Sequence, residues 1–220
     1  PRMPALRPPP RPLRPRVPAD QRQPPAPSLT TGRLRIEGRL PRSSNFTFLV
    51  AVEDEGATGL AVYKPEQGEQ ELWDFPPGLH RREVAAAELA SALGWPRVPE
   101  TIERTDAPYG PGSLQRFIEA DFAEHYFTLA DRPELRDQFL RIAVFDLVAN
   151  NADRKSGHCL YVPPVASARE DEGGAIWVID NALCFHAEPK LRTVIWELGG
   201  TRVPDDLLVD LARVRDAPPR

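Results

Sequence analysis

The chain has 220 residues, of which 41% are hydrophobic and 27% are charged, a composition that is ordinary for one or two globular domains. Its formal net charge is −4, so the chain lacks the overall positive charge that indicates nucleic-acid binding. It also lacks a run of about 18 apolar residues, so stable membrane insertion is not expected. The two cysteines, Cys159 and Cys184, are too few for a disulfide framework, which favours a reducing, cytoplasmic location.

Residues 1–28 form a segment rich in Pro and Arg, in which Asp20 is the only acidic residue. Such a composition cannot bury a hydrophobic core, so it predicts a disordered tail with polyproline character. The segment is either a tail without a role in the fold or a docking arm for an acidic or SH3-like protein partner.

Residues 29–119 read as a β-rich N-lobe with one helix. Polar and apolar residues alternate in several short stretches that are separated by turn residues, which is typical of an antiparallel sheet. A stretch with helical spacing ends at Gly94, with Pro96 beyond it. In chain order these elements are the strands "GRLRIEGRL", "FTFLVAVE" and "GLAVYKP", the helix "LHRREVAAAELASALGW", and the strands "VPETIER" and "GSLQRFIEA".

Residues 120–220 read as a mainly helical C-lobe that carries a β-hairpin. The pattern becomes helical from about Ala120, and two short apolar stretches later in the chain predict the hairpin. In chain order the elements are the helices "DFAEHYFTLA" and "RPELRDQFLRIAVFDLVAN", the hairpin strands "HCLYV" and "GAIWVID", and the helix "PDDLLVDLARVRD". The order of elements therefore predicts an α+β protein with two lobes.

Four polar features occur in chain order along these predicted elements, and together they suggest a common site. The turn "PRSSN" between the first two strands offers hydroxyl and backbone N–H groups to phosphate oxygens. Lys64, one of only three lysines, lies near the end of the third strand. Glu83 shares a face of the first predicted helix with three alanines, so we expect it to point into the protein. Asp153 and Asp180 each lie beside a strand of the late hairpin.

Phosphoryl transfer requires such a set of groups. A cation must meet the nucleotide phosphates, and an acid must hold that cation in place. One further carboxylate must orient the attacking hydroxyl, and another must bind the metal that bridges the phosphates. The sequence therefore predicts an ATP-dependent phosphotransferase.

The same stretches resemble a known family. "NNADRKSGH" followed by "WVIDNALCFH" resembles the catalytic and metal loops of phosphatidylinositol 3-/4-kinases, especially the type II phosphatidylinositol 4-kinases. Fam20-type and HipA-type kinases resemble the chain more distantly and use the same arrangement of site residues. "AVYKP" resembles the nucleotide-binding Lys strand, and "RREVAAAELASALGWPRVPET" resembles the helix with the paired Glu. Over roughly residues 32–200 the chain resembles an actinobacterial family described as phosphatidylinositol 3-/4-kinase-like.

The resemblance implies a small bilobal protein-kinase-like fold with ATP and Mg²⁺ or Mn²⁺ as cofactors. It gives Lys64 a phosphate contact and a pairing with Glu83, makes Asp153 the catalytic-loop carboxylate, and makes Asp180 the principal metal ligand. The turn "PRSSN" would cover the phosphates, and the stretch "QRFIE" would be the hinge that holds adenine by backbone bonds. The implied nucleotide-binding residues are Ser43, Ser44, Asn45, Lys64, Gln115, Phe117 and Glu119.

His158 departs from the family pattern. Kinase catalytic loops usually carry Asn five residues after the catalytic Asp, as a second metal ligand, and His158 occupies that position. Imidazole binds Mn²⁺ or Zn²⁺ more readily than Mg²⁺. His158 is therefore predicted as a second metal ligand, with phosphate contact or impaired metal binding as the alternatives.

Several alternatives remain open at this stage. The hydroxyl acceptor is a protein or a small molecule, with a lipid ranked lower because the predicted folded part shows no membrane-binding helix or basic patch. A pseudokinase, a nucleotide-sensing scaffold and a nucleotidyl transferase would use the same site. A zinc site at the cysteines, His158 and His186 is less favoured than two buried apolar cysteines, since no CxxC spacing occurs. Asp146 is expected to be structural and to bond to the loop backbone.

Overall fold

A computed structural model of the chain describes residues 26–40, 45–164 and 174–219. The predicted tail lies outside the described residues for positions 1–25. Its last residues belong to the folded N-lobe, because the N–H of Ser28 donates to the carboxylate of Asp54 and the carbonyl of Pro27 accepts from Arg116. The described N-lobe thus begins slightly before the predicted boundary at residue 29.

The N-lobe is built on a five-stranded antiparallel sheet in the order β1-β2-β3-β5-β4. Strands β2 and β3 are joined by Glu55 and Gly56, both with positive φ, as a two-residue hairpin turn requires. The strands are β1 (Arg33–Arg39), β2 (Phe48–Asp54), β3 (Ala57–Pro65), β4 (Thr101–Arg104) and β5 (Gly112–Arg116). These are the five predicted strands, although β5 ends earlier than its predicted limit at residue 120.

Helix α1 (Leu79–Leu93) connects the sheet to the rest of the molecule. Glu69, which precedes the helix in the chain, accepts hydrogen bonds from the N–H groups of Gly78, Leu79 and His80 at 2.7–3.0 Å. The carboxylate therefore satisfies donors that a helix N-terminus leaves unpaired, and its negative charge lies at the favourable end of the helix dipole.

The C-lobe contains α2 (Tyr126–Leu129), α3 (Arg136–Val148), the strands β6 (Cys159–Val162) and β7 (Ala175–Val178), and α4 (Asp205–Asp216). Strands β6 and β7 form the predicted antiparallel hairpin. The hairpin also bonds to two earlier segments of the chain. The N–H of Val178 donates to the carbonyl of Arg97, before β4, and the carbonyl of Tyr161 accepts the N–H of Asp121, before α2.

One predicted helix is much shorter than expected. The pattern of residues 121–130 predicts a helix, but only α2 forms within that range. Asp121 pairs with Tyr161 instead, and its carboxylate accepts the N–H of Ala123 in a local turn. Thr128 closes on the backbone N–H of His125 at 3.0 Å, so the helix begins only after that residue. Tertiary pairing and side-chain capping outweigh the helical pattern here.

Three large hydrophobic clusters form most of the core of the described structure, and a fourth, small one joins Phe75, Leu79 and Ala152. One lies within the N-lobe sheet, and a second packs α2 and α3 against the hairpin. The third joins α1 of the N-lobe to α3 and α4 of the C-lobe through Ala86, Phe145 and Leu207, all of which are fully buried. Because α1 contributes to this shared core, the two lobes hold the helix between them.

Replacing Glu69 by Gln should lower the free energy of unfolding at neutral pH by about 1–2 kcal/mol, since the charge that caps α1 is lost. Burial acts to raise the pKa of Glu69, but hydrogen bonds from His80, Leu79 and Gly78 outweigh it and hold the pKa below its ordinary value of 4.5. The contribution is therefore complete above that value and is lost as the pH falls through the folded-state pKa.

Urea unfolding of the wild type and of Glu69→Gln at neutral pH and at about pH 3 checks this expectation. The stability gap should narrow at the lower pH. Glu71→Gln, which changes an exposed neighbour, is the matched control and should show no gap at either pH. A gap of constant size would contradict the role of the Glu69 charge.

Candidate active site

Lys64, Glu83 and Asp180 meet in one ion cluster. The ammonium of Lys64, near the end of β3, lies 2.9 Å from Glu83 Oε2 and 2.7 Å from Asp180 Oδ1. Glu83 comes from α1, and Asp180 follows β7. The Glu83 side chain is 1% exposed and the Asp180 side chain is 48% exposed, so the cluster runs from the protein interior to an open surface.

The charges in this cluster stabilise one another. Burial opposes the charge of Lys64, but the Glu83 and Asp180 carboxylates outweigh it and raise its pKa above the ordinary value. In turn, the Lys64 ammonium holds the pKa of Asp180 well below its usual range, against the effect of burial. Lys64 and Asp180 are therefore both charged at neutral pH.

The buried Glu83 carboxylate is held on its second oxygen as well. Its Oε1 accepts the backbone N–H of Asn181 at 3.0 Å and lies 3.4 Å from the side-chain amide of Gln115. As predicted, Glu83 shares the buried face of α1 with Ala86, Ala87 and Ala90. The single carboxylate thus links α1 to the loop that carries Asp180.

Asp153 lies in the loop between α3 and β6. Its backbone N–H donates to Oδ1 of Asn151 at 3.0 Å, which fixes the turn, and its Oδ2 lies 2.7 Å from the ammonium of Lys155. The Asp153 side chain is 35% exposed and lines the same cavity as Lys64 and Asp180. A carboxylate that is ordered at its backbone and partly exposed can accept a hydrogen bond from a bound hydroxyl.

Two buried charges hold the loop in place. Asp146, on α3, and Arg154 are both fully buried and join through several hydrogen bonds, the shortest 2.8 Å long. Burial opposes the charge of Arg154, but Asp146 outweighs it and raises the pKa of the guanidinium. Arg154 also donates to the carbonyl of Ile179 and to Oδ1 of Asn181, on either side of Asp180. Asp146 is structural as expected, but its carboxylate bonds to side chains rather than to the loop backbone.

The cavity beside the ion cluster has a volume of about 240 Å³. One wall is apolar and comes from the segment before α1 and the segment after Asp180, and the rest is polar. Of the predicted phosphate-covering residues, Ser43 and Ser44 lie outside the described residues, whereas Asn45 lines the cavity and its Oδ1 accepts the N–H of Gln70. The lining residues are Asn45, Thr47, Lys64, Pro65, Glu69, Gln70, Leu72, Leu79, His80, Glu83, Asp153, Lys155, Asp180, Ala182 and Leu183.

Part of the predicted hinge is already engaged in backbone hydrogen bonds. Gln115 lies inside β5, which pairs with β3 on one side and β4 on the other, so its backbone is not available to adenine. The N–H of Phe117 is also used, since it donates to the carbonyl of Leu60. Within the described residues, the N–H groups of Ile118 and of the exposed Glu119 form no hydrogen bond. The prediction for Gln115 is thus corrected, and only the end of "QRFIE" can offer free N–H groups.

His158 lies in the 3₁₀ turn Ser156–His158 and faces Asp180. Its Nδ1 accepts the backbone N–H of Lys155 at 3.3 Å, and its Nε2 lies 3.3 Å from Asp180 Oδ2. Burial lowers the pKa of His158 below its ordinary value, against the opposite effect of the Asp180 carboxylate. The imidazole is therefore neutral at neutral pH.

Asp153 and Asp180 are the carboxylates that could hold a metal ion together with oxygen atoms of bound phosphates. Asp153 and Asp180 line one cavity, and Mg²⁺ is usually held by one or two carboxylates together with substrate phosphates and water. Within the described residues, no group of three or more His, Cys, Asp or Glu side chains is arranged to hold a metal. The protein alone thus offers an incomplete coordination shell.

The alternative zinc site at the cysteines is not supported. Cys159 and Cys184 are both fully buried but belong to different hydrophobic clusters. Burial raises the pKa of each thiol to about 12, so both stay protonated at neutral pH. Both cysteines are apolar core residues, as the alternative to a zinc site predicts.

Several residues of the site were not predicted as such. Asn151, Arg154 and Asn181 position the two loops, and Lys155 contacts Asp153. Asn150 has φ of +48° at the end of α3, and its side chain bonds to the backbone of His186, Glu188 and Lys190. The density of amides and charges in "NNADRKSGH" was the available signal, but residue type alone does not separate supports from reacting groups.

The chain is similar in sequence to one curated protein and in fold to solved kinase structures. No family model matches the chain. Protein Rv2133c of Mycobacterium tuberculosis is 34% identical over 229 residues, covering 86% of this chain and 77% of that protein. The solved structure of the Helicobacter pylori proinflammatory kinase CtkA matches with a TM-score of 0.50 at 12% identity, covering 86% of this chain and 69% of that chain. The Rio2 kinase of Chaetomium thermophilum, solved as an ADP/Mg²⁺-phosphoaspartate complex, gives a TM-score of 0.42 at 11% identity, covering 83% and 56%. The similarity to CtkA confirms the predicted kinase-like α+β fold.

Asp146→Asn should destabilise the protein by about 3–5 kcal/mol, because it leaves the Arg154 guanidinium buried without its countercharge. Asp137→Asn is the matched control on the same helix. It removes an exposed partner of Arg141 and should cost at most about 0.5 kcal/mol. Urea unfolding of both variants at neutral pH measures the difference. Equal stabilities of the two variants would refute the anchoring role of the buried pair.

Proposed function

This chain belongs to the same protein family as Rv2133c of Mycobacterium tuberculosis, and we propose that it is an ATP-dependent phosphotransferase that phosphorylates a hydroxyl acceptor. The observation that carries the proposal is the meeting of Lys64, Glu83 and Asp180 beside Asp153 in one cavity. Strongly interacting charged groups that line a cavity are typical of a functional site.

Lys64 is the phosphate-binding cation in this proposal. Its bond to the buried Glu83 fixes the ammonium on the inner side, while its second partner, Asp180, is half exposed. Non-bridging phosphate oxygens can therefore replace the Asp180 contact without disturbing the Glu83 contact. This exchange would leave the Asp180 carboxylate free to hold a metal ion between the protein and the phosphates.

Asp153 is the group that orients the acceptor. Its carboxylate would accept the hydrogen bond of the attacking hydroxyl and take up its proton as the new oxygen–phosphorus bond forms, while the bond from the γ-phosphorus to the bridging oxygen breaks and ADP leaves. Lys155, which also lines the cavity, places a second positive charge 2.7 Å from Asp153. The charge on the transferring phosphoryl group would thus be balanced by two lysines of this chain.

A divalent ion, Mg²⁺ or Mn²⁺, fits beside these groups. Asp180, which lines the cavity, is the residue that would hold it, and the nucleotide phosphates would complete its coordination. When bound, the ion supplies charge neutralisation of the phosphates. The free N–H groups of Ile118 and Glu119 are the candidates for holding adenine, and Asn45 is the described candidate on the phosphate side.

The finer class of the proposed enzyme is phosphatidylinositol 3-/4-kinase-like, on the motifs around Lys64, Glu83, Asp153 and Asp180. The acceptor would be a protein or a small molecule more readily than a lipid. Among the described residues, no helix is long and apolar enough to cross a membrane. Glu69 lines the cavity, and Glu66 and Glu71 are close to Glu69 in the sequence, which favours an acceptor that is not an anionic headgroup.

A pseudokinase is the second candidate, and a specific observation favours it. His158 occupies the position where kinase loops usually carry a second metal ligand. A protein of this kind would bind ATP without transferring phosphate, so nucleotide binding and turnover must be measured separately.

Calorimetry with ATP and Mg²⁺ or Mn²⁺ tests nucleotide binding on the full chain. Lys64→Met should lower ATP affinity about 10- to 100-fold, because a charge-assisted bond to phosphate is lost. Lys190→Met is the matched control, since Lys190 is also partly buried and paired with an acid, Asp74, outside the cavity. Its ATP affinity should equal that of the wild type.

Transfer of the terminal phosphate is followed with radiolabelled ATP and pools of protein and small-molecule hydroxyl acceptors. Asp153→Asn should lower the transfer rate about 10²- to 10⁴-fold while ATP affinity stays within about threefold, as expected for a group that acts on the acceptor. Wild-type protein that binds no nucleotide would contradict the proposal as a whole. Nucleotide binding without transfer to any acceptor would select the pseudokinase.

A further inference from the structure

His158 is fixed from several sides in the loop that precedes β6. Its backbone N–H bonds to the carbonyl of Lys155, and its own carbonyl accepts the N–H of Ile179, the residue before Asp180. The ring is buried, with Nδ1 on the N–H of Lys155 and Nε2 facing Asp180. The imidazole therefore cannot turn away without breaking contacts on both sides.

This arrangement assigns the tautomer of the ring. A neutral imidazole carries a single N–H, and the nitrogen that accepts a hydrogen bond is the one without the proton. Because the N–H of Lys155 points at Nδ1, the proton of His158 lies on Nε2. A protonated ring nitrogen has no lone pair for a metal, so Nε2 cannot serve as a ligand in this state.

Moving the proton to free Nε2 would be unfavourable. It would place an Nδ1–H against the Lys155 N–H, so that two donors would face each other in a buried position. The Asp180 carboxylate, by contrast, is a matching acceptor for Nε2–H at 3.3 Å. Asp180 itself has φ of +61°, a backbone conformation that is rare outside glycine.

We propose that His158 is a positioning residue that directs an Nε2–H at Asp180, and that the site consequently binds a single divalent cation with the nucleotide instead of two. Lys64 and His158 hold opposite oxygens of Asp180, and the position of the second metal ligand is filled by a donor. The metal count rests on the proposed function, whereas the tautomer rests on the geometry of the described residues alone.

Nitrogen NMR of histidine-labelled full-length chain tests the tautomer without any nucleotide. The spectrum of His158→Asn identifies the His158 signals by subtraction. We expect an unprotonated Nδ1 and a protonated Nε2, and we expect both to stay unchanged when Mg²⁺ is added. A proton on Nδ1, or loss of the Nε2 proton on adding Mg²⁺, would overturn the proposal.

Electron paramagnetic resonance of Mn²⁺, titrated in the presence of a non-hydrolysable ATP analogue, counts the bound ions. The wild type should bind a single Mn²⁺, and His158→Leu should bind it about 10- to 100-fold more weakly at unchanged stoichiometry, as loss of a supporting hydrogen bond predicts. His158→Asn should gain a second, weaker Mn²⁺. A second ion in the wild type that disappears in His158→Leu would refute the assignment.

The two measurements separate the possible failures. If the chain binds no nucleotide analogue, the proposed function fails, and the NMR result still decides the role of His158. If the analogue binds and the wild type holds two ions, the single-cation inference fails and the proposed function stands.

Discussion

The ammonium of Lys64 between two carboxylates is the interaction on which the site depends. Glu83 reaches it from α1 and Asp180 from the loop after β7, so three elements that are distant in the chain must arrive at one point. Each carboxylate lowers the cost of burying the cation, and the cation in turn keeps Asp180 ionised. Glu83 is buried and Asp180 is half exposed, so the bond from Lys64 to Glu83 is fixed, whereas the bond to Asp180 is open to replacement by a ligand.

A second buried pair makes this meeting possible. Asp146 and Arg154 are completely enclosed, and the guanidinium extends to both residues that flank Asp180. A buried ion pair contributes little net stability compared with an apolar pair of the same size, but the loss of one partner is expensive. The pair therefore serves to specify one loop geometry, and it does so by uniting α3, the Asp153 loop and the Asp180 loop.

Much of the fold follows from local patterns in the sequence. The alternation in β1 to β3, the Glu55–Gly56 turn and the Gly94 end of α1 are determined by neighbours in the chain, so the sheet and the helix could be predicted. The alanine face of α1 likewise indicated that Glu83 is buried. The helix expected at residues 121–130 failed because Asp121 pairs with Tyr161, a contact that no local pattern encodes.

The charged residues that meet at the site could be predicted, but the side chains that hold them in place could not. Lys64 and Asp153 were marked by rarity and by loop composition, whereas Arg154 and Asn181 are identified only by the partners that the fold supplies. The prediction that the backbone of Gln115 is free was wrong for a related reason, because strand pairing on both sides of Gln115 is a property of the whole sheet. His158 shows the same limit, since the tautomer of a ring depends on the N–H group that happens to face it.

The most direct test of the central claim is a crystal structure of the chain with a non-hydrolysable ATP analogue and Mg²⁺. The account predicts that Nζ of Lys64 keeps its bond to Glu83 and moves its second bond, at about 3 Å, from Asp180 to a phosphate oxygen. Asp180 should then contact the metal ion. A nucleotide bound elsewhere, or a Lys64 that remains on Asp180 with the phosphates out of reach, would contradict the account.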